Sequence, residues 1–244
     1  MKTKAITLFV IAFIALIASC NKKDTKPSNE VAKTLPTPSS SMVFGGIFDF
    51  YNIQTYSSGV GYYNQYAMQC AFFNNNNSNA INAGNVSINN VSLFCDAQYD
   101  NWYLDTTYTI NYLQLNYSIN VSGNASVQSF NYAFTPIKPS FNGDSLLPDT
   151  FSKSAGFTIN FGNTIQNITD SVIVSLDGAS KKMPPNQTSI TFTSNDLAIV
   201  STGTIVSNQF KVELSNVKKF TVNNTDYYIR NLLSHSKYNI IVMP

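Results

Sequence analysis

Charged residues are scarce in this chain: Asp, Glu, Lys and Arg together make up 11% of its 244 residues, and it has one arginine, one histidine, one tryptophan and three cysteines. An ordinary soluble protein carries about 25% charge. So little charge excludes a nucleic-acid binder that works through a basic patch, and it excludes a disordered chain held open by its own charge. A lone histidine, His235, and three thiols leave little material for metal or nucleophilic chemistry. Beyond the N-terminal end, no apolar run approaches the roughly 20 residues that cross a bilayer as a helix. No phosphate-binding glycine loop, zinc spacing, glycine-framed serine or paired-carboxylate motif is visible, so a non-enzyme without cofactor or metal is expected.

What is present begins with an address. Lys2 and Lys4 precede an apolar stretch over residues 5–18, too short to span comfortably and laid out as a secretory signal peptide over residues 1–20. It ends in Leu16, Ile17, Ala18, Ser19 and Cys20, which resembles the lipobox of bacterial lipoproteins. That resemblance implies cleavage before Cys20 and lipidation of its thiol, giving a protein anchored to a membrane without spanning it. Each buried methylene of such an anchor contributes about 0.8 kcal/mol. Asn21, where an aspartate would signal inner-membrane retention, implies the outer membrane; the cell surface is expected and the periplasmic face stays open. Residues 21–41 are mostly Lys, Ser, Thr, Pro and Asn, a composition expected to form a flexible tether with an extended reach of roughly 70 Å. Past residue 20 the chain has thirteen bases and thirteen acids, so its net charge vanishes with the signal.

From Met42 onward the apolar residues recur with period two in short runs rich in Val, Ile, Thr, Tyr and Phe, which predicts an all-β fold. Asn89 and Asn90 lie between two such runs and predict a tight hairpin, because asparagine tolerates the positive φ of a two-residue turn. A further strand is expected over residues 106–112. Residues 194–199 are the one stretch with helical character, Ser194 serving as its cap. Two separate strands are expected over 225–230 and 237–243, with His235 in the loop between them, read as a loop residue and not a general base. About seven strands per hundred residues is the signature of immunoglobulin-like β-sandwiches. Two tandem domains, 42–137 and 138–244, are expected, with a single sandwich of about 200 residues as the alternative. Composition supports the division: no Lys or Arg occurs between Lys33 and Lys138, and eleven of the fourteen tyrosines lie between Tyr51 and Tyr132. A proline-spaced joint over 136–148 would mark the seam.

Residues 82–89 (NAGNVSIN), 147–157 (LPDTFSKSAGF), 170–174 (DSVIV) and 225–229 (TDYYI) resemble a group of Bacteroidota two-domain lipoproteins over most of the mature chain. The resemblance implies tandem immunoglobulin-like sandwiches at the cell envelope. It carries no activity and no catalytic residue.

Several residues are candidates for more than packing. Cys70 and Cys95 both point to an apolar face by strand parity, and outside the cytoplasm they form either a disulfide or two separately buried thiols. Residues 96–105 hold the densest mixture of aromatics and carboxylates. Tyr99, Trp102 and Tyr103 there can stack on sugar rings as a glycan-binding loop, or serve as a hydrophobic anchor between strands. Asp96, Asp100 and Asp105 match no EF-hand spacing, so no metal is assigned to them. Thr106, Ser145 and Ser171 lie in triplets that resemble the acceptor of Bacteroidota O-glycosylation. Asn74 to Asn77 read as a solvated loop tip. The expected function is a lipid-anchored interaction or structural module with an envelope protein or glycan as partner. A glycan-binding lipoprotein of a nutrient-uptake system is the alternative, and an envelope hydrolase stands behind both.

Overall fold

A computed structural model of the protein describes residues 43–57, 61–74, 79–107, 109–110, 112–205 and 210–244. Residues 1–42, with the signal peptide, Cys20 and the tether, lie outside the described residues, as do Asn75, Asn76 and Asn77. No helix among the described residues is long and apolar enough to cross a membrane.

The chain is all-β. In its first half the strands are β1 (Val43–Ser57), β2 (Gly61–Phe73), β3 (Ala80–Ile81), β4 (Val86–Ile88), β5 (Val91–Ser92), β6 (Phe94–Asp96), β7 (Trp102–Leu104), β8 (Tyr117–Val121) and β9 (Phe130–Phe134). There follow β10 (Ser140–Phe141), β11 (Thr150–Ser152), β12 (Phe157–Asn160), β13 (Ile165–Gln166), β14 (Val172–Leu176), β15 (Ala179–Met183) and β16 (Ser189–Phe192). The last four are β17 (Gly203–Ile205), β18 (Phe210–Val222), β19 (Thr225–Lys237) and β20 (Ile240–Met243).

Nine of these strands form one sheet in the order β15-β14-β18-β19-β1-β2-β7-β6, with β3 added beside β2. All its described neighbours are antiparallel except β1 and β19, which run parallel from Val43 opposite Thr225 to Tyr56 opposite Lys237. Strands β4, β5, β8 and β9 make a second sheet, and the remaining short strands make three small ones. Alternation explains the layers: in β1, Phe48 and Phe50 point into a core while Asp49 points to the opposite face. The first core joins Phe48, Phe50, Phe72, Tyr103, Tyr117 and Phe130, with Phe50 and Tyr117 rings 4.6 Å apart. The second gathers Phe141, Phe161, Phe192, Val212, Phe210 and Leu233.

The sheet does not stop at 137/138. Most core residues fall on the expected side of that boundary, but β19 lies in the middle of the sheet, and Phe220, Tyr227 and Ile229 from the C-terminal part complete the first core. The strand expected over 225–230 continues to Lys237 as β19 and the one expected over 237–243 forms as β20, so His235 lies inside β19 and not in a loop, 2% exposed. Its Nδ1 lies 3.4 Å from Gln54 Oε1 and its ring meets Phe141 edge-on at 4.9 Å, so it is a packed strand residue. Residues 194–199 form turns, not a helix. Asp196 accepts hydrogen bonds from the Thr193 N–H and hydroxyl, both at 2.7 Å, which fixes a turn one residue before the expected cap. The described part of 106–112 is turn as well: Asp105 gathers the chain around its carboxylate, with Oδ1 accepting from Thr107 N and Oγ1 and Oδ2 from Ile110 N.

The Asn89–Asn90 hairpin forms as expected, with φ of 49° and 66° and Ile88 opposite Val91. The same device closes the long β18–β19 hairpin at Asn223 and Asn224. Glycine is required at Gly84, whose φ is +78° and where a Cβ would stand 2.5 Å from Gly123 O.

Candidate functional site

The face of the long sheet that points away from the two cores carries the most developed polar arrangement. Asp49 of β1 lies opposite Arg230 of β19. Two hydrogen bonds join them, Arg230 Nε to Asp49 Oδ1 and Nη2 to Oδ2, both 2.6 Å. Asp49 has no exposed side-chain surface and Arg230 only 11%. Burial works against the guanidinium charge, but the hydrogen bonds and charge of Asp49 outweigh it and raise the Arg230 pKa.

Two neutral side chains complete the cluster. The Tyr51 hydroxyl donates to Asp49 Oδ2 at 3.1 Å, and Gln69 Nε2 donates to both Asp49 Oδ2 (3.3 Å) and Tyr51 Oη (3.0 Å). Burial first, and then the negative charge of Asp49, push the Tyr51 phenol far above its ordinary pKa, so it stays neutral. Beside this cluster opens a cavity of about 310 Å³ lined by Tyr51, Ile53, Ala67, Gln69, Leu104 and Thr106, with Met68 and Asp105 behind them. It exists because Ala67, the cross-strand partner of Tyr51, contributes only a methyl group, and because the chain turns away from the sheet after Leu104. Its chemistry is neutral: the Asp49 charge is matched, and both Asp105 oxygens are committed to the turn over residues 105–110.

At one end of the same face, Ile47, Ala71, Phe73, Ala80 and Tyr228 form a small apolar cluster against which Trp102 and Val217 pack. Neighbours on a strand point to opposite faces, so Trp102 and Tyr103 part company. Tyr103 is buried in the first core, accepting from Ala83 N and donating to Gly84 O, each at 2.8 Å. It is a structural residue with no surface to offer a ligand, which corrects its expected place beside Trp102. The side chain of Tyr99 lies outside what the structure describes.

Cys70 and Cys95 are free thiols in the structure. Cys70 on β2 and Cys95 on β6 both lie opposite Tyr103 of the intervening β7. Two strand spacings, roughly 10 Å, exceed the roughly 7 Å Cα separation that a disulfide tolerates. Burial raises the Cys70 pKa, with Asp49 and Cys95 adding to it. Of the expected glycosylation positions, Thr106 and Ser145 are exposed. Ser171 is 4% exposed and donates to Asp170 Oδ2 at 3.3 Å, so an enzyme cannot reach its hydroxyl in the folded protein. Asp96 caps the short 3-10 turn at Ala97–Tyr99, and Asp96, Asp100 and Asp105 do not come together; among the described residues no group of three or more His, Cys, Asp or Glu is placed to hold a metal ion.

Asp49, Tyr51, Gln69 and Arg230 were not singled out by sequence. Two traces of them were visible: Asp49 interrupts an otherwise apolar and aromatic run, and Arg230 is the only arginine in the chain. Comparison with family models, with curated proteins and with solved structures found no match.

Proposed function

We propose that this is a lipid-anchored protein of the cell envelope, attached to the outer membrane through Cys20, and that it acts as a non-enzymatic interaction module through the outer face of its long sheet. The observation that carries this reading is the buried Asp49–Arg230 pair, which meets an adjoining open cavity through Tyr51 and Gln69. Buried ion pairs are seldom more stabilising than apolar packing. This one lies in neither core, and its acceptors hold Tyr51 and Gln69 in fixed positions at the cavity wall. Side chains ordered before contact lose less entropy when a partner binds. The membrane anchor rests on the lipobox-like residues 16–20 and the tether-like composition of residues 21–41.

Two measurements test it. Cys20→Ser shifts the protein from the membrane to the soluble fraction; retention in the membrane refutes the anchor. A photo-crosslinker placed at Ile53 gives defined adducts with an envelope component in intact cells, whereas one at Ser180, on the edge strand β15, does not. Equal or absent adducts at both positions refute the contact face. A glycan-binding reading draws on the same cavity, because Tyr51 offers a ring wall beside the Gln69 amide, and Trp102 stands on the same face. Loss of glycan-array binding in Trp102→Ala would support it.

A further inference from the structure

Strand β2 is fully paired with β1 along one side, from Gly61 to Phe72. Among the described residues its other side is strand-paired only at one end, where β3 meets Phe72 and Phe73 and β7 meets Gln69 and Cys70, while the Tyr112 ring stacks on Tyr66 at 5.4 Å without pairing its backbone. The Asp105 N–H, donating to Met68 O at 3.1 Å, is the last bond before the chain turns away. Among the described residues, no strand pairs with residues 64–67 on that side. Alternate residues of a strand direct their N–H and C=O groups the same way. Met68 directs its carbonyl toward β7, so Tyr66 and Asn64 direct their backbone groups to the open edge.

We propose, building on the interaction-module reading, that this edge receives an extended polypeptide segment as an added strand, with one side chain of the segment seated in the adjoining cavity. Three observations converge. The unpaired backbone calls for a strand. The cavity lies where that strand would run: a guest in line with β7 places a residue opposite Ala67, on the face where the cavity opens. Finally, the edge lacks the devices that protect exposed strands, since Asn64, Gln65, Tyr66 and Ala67 include no lysine, no proline and no charge.

The chemistry also describes the guest. Tyr51, Ile53 and Leu104 offer an apolar wall, the ion pair is internally neutral, and both Gln69 amide hydrogens are committed, which leaves its Oε1 as an acceptor at the wall. The seated side chain is therefore uncharged and largely apolar. With Asp49 matched by Arg230, residues 34–137 keep Asp96, Asp100 and Asp105 and no base, so flanking lysine or arginine in the guest is favoured over acid. Main-chain pairing supplies the affinity and the cavity supplies the selectivity.

A phage-displayed library of random peptides, panned against the full-chain protein, tests this. Enriched peptides are expected to share an apolar residue at a fixed position and to slow amide hydrogen exchange at Asn64 and Tyr66 at least about tenfold. Asn64→Pro, which removes only an outward N–H, and Ala67→Leu, which fills the cavity, are each expected to weaken binding about tenfold while thermal unfolding shows both still folded. The proposal is overturned if no peptide enriches, or if enriched peptides bind Asn64→Pro as tightly as the parent. It is also overturned if a neutral oligosaccharide binds in a manner abolished by Ala67→Leu with exchange at Asn64 and Tyr66 unchanged. Adducts at Ile53 that survive Asn64→Pro would leave the interaction module standing without strand addition; loss of those adducts from the parent itself removes both.

Discussion

Asp49 and Arg230 are 181 residues apart in sequence and directly opposite each other in the sheet, joined by two 2.6 Å hydrogen bonds on the only described parallel strand pair of that sheet. Arg230→Met is expected to destabilise the protein by about 3–5 kcal/mol, because it strands a buried carboxylate. The double variant Asp49→Leu/Arg230→Met is expected to recover most of that loss, since it removes both charges together. Urea unfolding of the two variants checks this, and a double variant as unstable as the single one contradicts it.

Stability at low pH has a specific contributor in Asp196. Its carboxyl is held down at about 2 by the hydrogen bond from Lys181, 2.6 Å away, and by those from Thr193. An unfolded aspartate titrates near 3.9. A depressed folded pKa stabilises above the unfolded value, and that contribution is lost as pH falls toward about 2. Asp196→Asn is therefore expected to flatten the dependence of stability on pH between about 4 and 2, measured by thermal unfolding across that range.

Both Cys70 and Cys95 are expected to take an alkylating label in the unfolded, unreduced protein, located by peptide mass. In the folded protein Cys95 reacts first: Cys70 is fully buried with its pKa raised, whereas Cys95 is only partly buried. Labelling of neither sulfur in unfolded, unreduced protein would show a disulfide.

The side-chain oxygen of Asn231 is buried without a hydrogen-bond partner. Such an atom costs its full desolvation and returns nothing. Asn231→Leu is expected to leave stability unchanged or to raise it by up to about 2 kcal/mol, read from the urea midpoint. A fall in stability would show that the buried amide contributes more than the apolar side chain that replaces it.

Features set by adjacent residues were legible before any coordinates. Asn89 and Asn90 announce their hairpin because the positive φ that the turn needs is a property of those two residues. Parity correctly turns Cys70 inward, and the same parity separates Trp102 from Tyr103, which the aromatic composition of residues 96–105 groups in one loop. The Asp49–Arg230 cluster is of another kind. Its register depends on which distant strand lies beside β1, and nothing in residues 48–50 carries that information. The helix expected over 194–199 does not propagate: Thr193 and Asp196 exchange the bonds of a capping box, but a single i→i+4 bond, Leu197 N to Thr193 O, is followed by i→i+3 bonds that keep the stretch a run of turns.

The central position of β19 bears on the order in which the molecule can be made. β1 is among the first described segments to leave the ribosome and β19 among the last, and each borders the other over thirteen paired residues. Until the C-terminal strand is available, β1 has an open edge, and the first core lacks Phe220, Tyr227 and Ile229. Closing so large a loop is entropically costly and slow compared with local pairing. Completion of the fold therefore waits until residues 225–237 are free to pair with β1, and a chain cut short before residue 225 leaves its first core incomplete.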